Sequence, residues 1–242
     1  MKGQTQKIQY GSAFETIAIG GKPTGHSVFA IAGAGTGPYI DAVSHPLIET
    51  GLHTKPKELE NALRAQLITF YEKHVIPFAS YPDSERPDFD LLLARGNTST
   101  GDRIWQTHKN TLAEVSPCAA VGGGKFYADN LLQRLYEYRP VEFATFLAAF
   151  VIFQVKENVE GCGKTTSILV IEEGKAYRIA WESLLKLEIE FRRYPWLESD
   201  VFNCLAEPDP DAAKKLWDRA TKRFVDLHSR LSAIKLESDG MV

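Results

Sequence analysis

The chain has 242 residues and a mass of 27.0 kDa, with 44% hydrophobic and 24% charged residues, which is a globular composition and excludes a low-complexity chain. A chain this long buries roughly 70–75% of its unfolded surface, so it needs neither disulfides nor a structural metal to fold. The formal net charge of −3 gives no electrostatic reason to bind nucleic acid or an anionic membrane, and Cys118, Cys162 and Cys204 are too few and too far apart for a disulfide framework.

Met1-Lys2-Gly3-Gln4 lacks the apolar segment of a signal peptide. With free thiols expected, the cytoplasm is the expected location. Residues 4–34 read as strands: Gln6 to Tyr10, an alternating run from Phe14 to Ile19, and His26 to Ala32. The Gly/Pro cluster Gly33-Ala34-Gly35-Thr36-Gly37-Pro38 then turns the chain into a helix from about Tyr39 to Thr50, which Pro46 is expected to kink or shorten. Lys57 to Val75 is amphipathic, with Leu59, Leu63, Leu67, Phe70, Tyr71 and His74 on one face. His74 reads as a core histidine.

A Pro-rich loop from Pro77 to Pro87 precedes a strand carrying Phe89, Leu91 and Leu93. Asn97 to Gly101 is a turn, and strands at Arg103–Thr107 and Thr111–Val115 come after it. A short strand at Ala119–Val121 leads through Gly122-Gly123-Gly124 into a helix bearing Phe126, Leu131, Leu132, Leu135 and Tyr136. Pro140 suits the first turn of the next helix, about Val141 to Val155. That helix is apolar nearly all round, the mark of burial on most sides. It is too short for a span of about 20 residues and holds Glu142 and Gln154, so it is core rather than membrane.

Gly161-Cys162-Gly163 closes this stretch before a strand at Ile168–Ile171. Glu173-Gly174 is a hairpin signal, and Lys175–Ile179 is the returning strand. Helices are expected over Trp181–Tyr194, ending before Pro195, and over Asp211 to about Leu236, joined by Glu207-Pro208-Asp209-Pro210. Hairpin-linked strands and paired helices argue an α+β fold rather than βαβ alternation.

Two glycine runs are candidate ligand loops. Gly161 to Thr166 contains Gly-Lys-Thr at 163–165, as at the end of a phosphate-binding loop, but position 158 is Asn158 and a helix leads into a strand. The anion site then lacks the helix N-terminus it depends on. Gly33 to Gly37 lacks the spacing of a dinucleotide loop. The six histidines are scattered and no cysteine pair has metal-ligand spacing, so neither cofactor nor metal is expected. Cys162, in a glycine turn, is a candidate nucleophile beside the commoner structural cysteine.

Three segments, in order, carry a family resemblance: Met1-Lys2-Gly3 with Lys7-Ile8; Phe29-Ala30-Ile31-Ala32-Gly33 leading to Asp41; and Val121-Gly122-Gly123-Gly124 with Tyr127-Ala128. Together with Gly161-Cys162-Gly163 they resemble proteasome β-type subunits, closest to the protease ring of the bacterial ATP-dependent heat-shock protease, over about residues 1–175. The resemblance implies N-terminal-nucleophile chemistry, a four-layer αββα sandwich and ring or homo-oligomer assembly with like subunits. It implies a peptide substrate if the chain is active. The sandwich is expected to span residues 1–180 without its first two strands, with 181–242 as a helical extension packed on it.

By position the resemblance makes Lys7 the lysine that stabilises the charged state, and Gly33 or Gly35 the oxyanion donor. Gly123 stands where a supporting serine is expected, Val159 where an aspartate is, and Cys162 where a second serine is; Glu157 and Glu160 are nearby acids. Thr5 lies too close to Lys7 to be the nucleophile. Two readings result: a hydrolase subunit whose true start lies upstream, which is preferred, or a non-catalytic scaffold of the same fold. A nucleotide-binding protein using Lys164 is the third.

Overall fold

Large and small side chains alternate from Phe29 to Ala32, and in a strand these two sets point to opposite faces. That alternation organises the computed structural model of the chain, which describes residues 5–15, 25–82, 86–98, 101–138, 140–162, 165–172 and 174–241, with side chains from Ser27 to Ser238 within those spans. Strands β1 (Thr5–Glu15), β2 (Gly25–Gly35), β3 (Phe89–Asn97), β4 (Arg103–His108) and β5 (Thr111–Val115) form one antiparallel sheet in sequence order. Where two runs were expected before residue 20, the structure has the single strand β1; residues 16–24 lie outside the described residues.

Helices α1 (Gly37–His53) and α2 (Leu59–His74) cover one face of this sheet. Phe29, Ile31, Leu91, Leu93 and Trp105 from the strands meet Ile40, Leu47, Leu63 and Leu67 from the helices, none more than 2% exposed. The periodic face of α2 is buried as expected except at its end: His74 is exposed and stacks against Phe70, with ring centroids 4.7 Å apart. Pro46 does not shorten α1. The carbonyl it leaves without a partner belongs to Ala42, an exposed residue, so water can satisfy it.

The second half builds α3 (Lys125–Leu135), α4 (Val141–Asn158), a hairpin of β6 (Leu169–Glu172) and β7 (Lys175–Ile179), and then α5 (Trp181–Phe191), α6 (Tyr194–Ala206), α7 (Pro210–Ser232) and β8 (Ser238–Met241). Gly174 turns the hairpin at φ +71°, a conformation that favours glycine. β6, β7 and β8 form a second sheet in that order. Phe150 and Phe153 of α4 rest on Ile168, Val170 and Ile179, together with Leu184, Leu187 and Phe191 of α5; Leu231, Ile234 and Leu236 join the same cluster. The two sheets touch where Gly96 meets Ile171: a Cβ on Gly96 would lie 2.2 Å from the Ile171 Cγ2.

Several expectations are corrected here. Residues 119–121 form no strand, because no neighbouring strand pairs with them; only a side chain, Gln106, reaches the Ala120 carbonyl, at 3.4 Å. Pro195 ends no structure. It sits in the first turn of α6, where proline needs no N–H donor, so the segment read as a connection is a helix. α6 packs against α7 through Asp200, whose carboxylate is 2.5 Å from Arg223 Nη1. α7 ends at Ser232 rather than near Leu236, and residues 238–241 return as a strand beside β7.

The fold is mixed α and β with antiparallel sheets. A complete αββα sandwich is not established, because the second sheet has three strands among the described residues and α3–α4 face the first sheet with no strand between. Among the described residues no helix is long and apolar enough to cross a membrane.

Candidate functional site

The small half of the alternation leaves a space. Ala32, Ala34, Leu92 and Ile104 form its floor on the five-stranded sheet; Ala128 and Leu132 of α3 and Leu147, Val151 and Val155 of α4 form its roof. The resulting cavity measures about 700 Å³. One end is polar, lined by Lys156, Thr165, Thr166, Ser167 and Arg178, with Cys118 and Cys162 also on the wall.

Two of these polar groups are tied together by a third residue, Glu188. Lys156, in the last turn of α4, places Nζ 2.6 Å from Glu188 Oε1 on α5 and 3.2 Å from Thr166 Oγ1. The Thr166 hydroxyl donates to the same carboxylate oxygen. The Lys156 and Glu188 side chains are only 13% and 15% exposed, so each charge depends on the other for solvation. Thr166 is not activated for attack by this arrangement. Its proton is held by a carboxylate already paired with an ammonium.

Neither thiol on the wall is activated. Burial pushes the Cys162 thiol above its ordinary value; burial, and then the nearby Asp129 charge, does the same for Cys118. The thiolate is the nucleophilic form, and these surroundings disfavour it. Among the described residues no group of three His, Cys, Asp or Glu side chains is placed to hold a metal ion.

The residues singled out in the sequence fall at different distances from the cavity. Lys7 stands opposite Gly33 in the β1–β2 ladder; its side chain lies outside the described ones. Gly33 contributes backbone to the cavity wall. It lies in a central strand between Lys7 and Leu91, so its N–H points along the sheet rather than into the cavity. A Cβ there would lie 2.6 Å from Ile40 Cγ2, on the α1 side. Gly35 is turned elsewhere, with φ +130° and no room for a Cβ against the Asp88 carbonyl, 2.3 Å away. The glycine turn before α3 reaches the site: a Cβ on Gly122 would be 2.6 Å from Ala34 Cβ, and one on Gly124 would be 3.2 Å from Cys162 Sγ. Gly123 between them is exposed and does not line the cavity.

Gly163 and Lys164 lie outside the described residues, but the context expected of them holds: α4 precedes this stretch and β6, not a helix, comes after it. Sequence reasoning missed Lys156, Thr166 and Glu188 as a group. They are separated by 10 and 22 positions, and no spacing rule links such positions.

Solved structures share this fold, Anbu proteins from three bacteria among them. Anbu (ancestral beta-subunit) from Yersinia bercovieri matches with a TM-score of 0.57 at 14% identity, over 76% of this chain and 81% of that one. The helical assembly of the Anbu complex from Pseudomonas aeruginosa gives 0.61 at 11% identity, over 84% and 94%. Anbu from Hyphomicrobium sp. strain MC1 gives 0.59 at 13%, over 84% and 94%. No protein-family model matches the sequence, and no curated protein does. The resemblance to proteasome β-type subunits, and to the heat-shock protease ring in particular, is therefore corrected: the likeness is of fold, to proteasome-like Anbu proteins, at an identity too low to carry more.

Proposed function

We propose that this chain is a proteasome-like subunit that works as part of an assembly of its own copies. The fold likeness includes a protein solved as a helical assembly, and one observation on this chain carries the reading. Trp181, Leu185 and Ile189 form a row at four-residue spacing along the outer face of α5, and they are 59%, 42% and 49% exposed. The opposite face of the helix is spent on the core through Leu184, Leu187 and Phe191. Phe202 and Leu205 of α6 and Trp217 and Phe224 of α7 are exposed as well. Exposed apolar surface on this scale supports an interaction role.

The α5 row also suits pairing with itself. Glu182 stands at its N-terminal end and Arg192 at its C-terminal end, both exposed, so two α5 helices laid antiparallel bring opposite charges together. Sedimentation velocity on the full chain tests this. Species heavier than the 27.0 kDa monomer are expected, and Leu185→Lys with Ile189→Lys should return the protein to monomer. A wild-type protein that sediments only as monomer at micromolar concentration sinks the reading.

Peptide hydrolysis by such a subunit has one observation in its favour, the placing of Lys7 opposite Gly33. Cleavage of fluorogenic peptides that is lost in Lys7→Ala supports it. Assembly without cleavage leaves the scaffold role. A reducing cytoplasm fits the free thiols of Cys118, Cys162 and Cys204.

A further inference from the structure

We infer that the outer flank of α7 is a second self-contact, in which Trp217, Thr221, Phe224, Val225 and His228 pack antiparallel on the same flank of another copy and join α5-paired dimers into particles of four. This rests on the α5 pairing proposed above and adds to it a different surface and a stoichiometry.

The first support is the stripe itself. Trp217, Thr221, Phe224, Val225 and His228 are spaced so that, at about 100° per residue, they fall along one side of the helix. All five are exposed, and Trp217, Phe224 and Val225 show 54%, 55% and 59% of their surface to water. The Phe224 and His228 rings stack, with centroids 6.4 Å apart. None of the five positions holds Lys, Arg, Asp or Glu.

The second is what keeps the stripe outside. On the opposite flank of α7, Arg223 and Arg219 reach the buried Asp200 of α6 at 2.5 Å and 3.8 Å. Turning α7 far enough to bury the aromatic rings would draw both arginines off this carboxylate. A buried charge stripped of its partners is strongly destabilising. The rotation of α7 is therefore fixed, and the apolar stripe faces water, where it adds nothing to the stability of a single copy.

The third is self-complementarity, which selects a second copy as the occupant. Two α7 helices laid antiparallel about a two-fold axis between Lys222 and Arg223 set Phe224 against the partner's Thr221 and Val225 against the partner's Ala220. Trp217 then meets the partner's His228. Large side chains face small ones and rings face rings, and the symmetry makes every contact twice.

The fourth is area. A half-exposed aromatic side chain leaves about 100 Å² to cover, so the stripe offers about 300 Å² per copy. A stable interface buries about 800 Å² on each partner. One α7 contact is thus too small to hold two monomers. An α5-paired dimer carries two stripes, and when two dimers meet, the second contact forms within the complex at a high effective concentration. The α7 contact accordingly forms after the α5 contact.

Sedimentation velocity of the full chain over a concentration series tests this. The wild type is expected to reach four times the 27.0 kDa of one chain. Trp217→Lys with Phe224→Lys should stop at two copies. Thr221→Trp should stop there too, because it sets a large ring where Phe224 of the other copy needs a small side chain. All three positions are exposed, so melting temperatures should not change, which separates lost contact from lost fold. A wild type that stops at two copies overturns the inference and leaves the stripe to a different partner, with the α5 reading intact. Four copies in either α7 variant also overturn it. Leu185→Lys with Ile189→Lys should give monomers here, and dimers from that variant overturn the order of assembly. A wild type that is only monomeric removes the α5 reading and this one together.

Discussion

The two faces of one sheet are packed in opposite ways. On the face under α1 and α2, β2 and β3 place Phe29, Ile31, Phe89, Leu91 and Leu93. On the other face the same strands offer Ala30, Ala32, Ala34, Leu92 and Ala94. The first face is closed to water, and the second borders a cavity of about 700 Å³. A period of two thus writes two programmes on one strand, one for stability and one for space. The face that does most for the fold is not the face with room for a partner.

The largest expected difference comes from truncating a leucine on each side. Leu91→Ala should cost about 3–4 kcal/mol, because its surroundings cannot collapse into the hole. Leu147→Ala, which borders open volume already, should cost only about 1–2 kcal/mol. Urea denaturation of both variants measures this, and equal losses would break the contrast.

A finer comparison uses two neighbours. Gly33→Ala pushes a methyl to within 2.6 Å of Ile40 Cγ2. It should destabilise by about 1–3 kcal/mol, the cost of overpacking a filled core. Ala32→Val adds two carbons on the cavity side and should be neutral or stabilise by up to about 1 kcal/mol. Melting temperatures of opposite sign at adjacent residues would sharpen the contrast; two losses of the same size would remove it.

The smallest effect is one of pH. Asp90 lies on β3 in register with the sparse face, and burial, with the neighbouring Asp88 charge second, raises its carboxyl above the ordinary range; His108 and Lys125 oppose the shift. A carboxyl whose folded value is raised binds an extra proton in the folded state over the interval between the two values. Its contribution to stability is therefore greatest below the unfolded value and falls as pH rises through the folded one. Asp90→Asn should accordingly gain on the wild type as pH is raised from about 3 to about 6. Parallel melting curves across that range check the sign, and a gain on acidification would reverse it.

Much of the scaffold was legible because local periodicity reports burial. α2 and α4 are readable from apolar spacing, the β6–β7 hairpin from Glu173-Gly174, and the first large core from alternation at Phe29 and Leu91. The ordered glycine motifs lie on the Gly33 strand, the 122–124 turn and the Cys162 loop, which all border the cavity. They pointed to a narrower kinship than the fold supports, because short glycine turns answer to backbone geometry shared by many chains. Pro195 misled in the same way: proline marks a helix start as well as a stop, and only the conformation of the residues after it tells which.

The chain by itself determined most of which segments coil, which extend, and which face of each is greasy, α6 and residues 119–121 apart, since those depend on neighbours three or four positions away. It did not determine that Ser238–Met241 would return beside β7, that Lys156, Thr166 and Glu188 would meet, or that a room would open between the five-stranded sheet and α3–α4. Those are matters of volume and distance between segments far apart along the backbone, and they exist only once the layers have closed on one another.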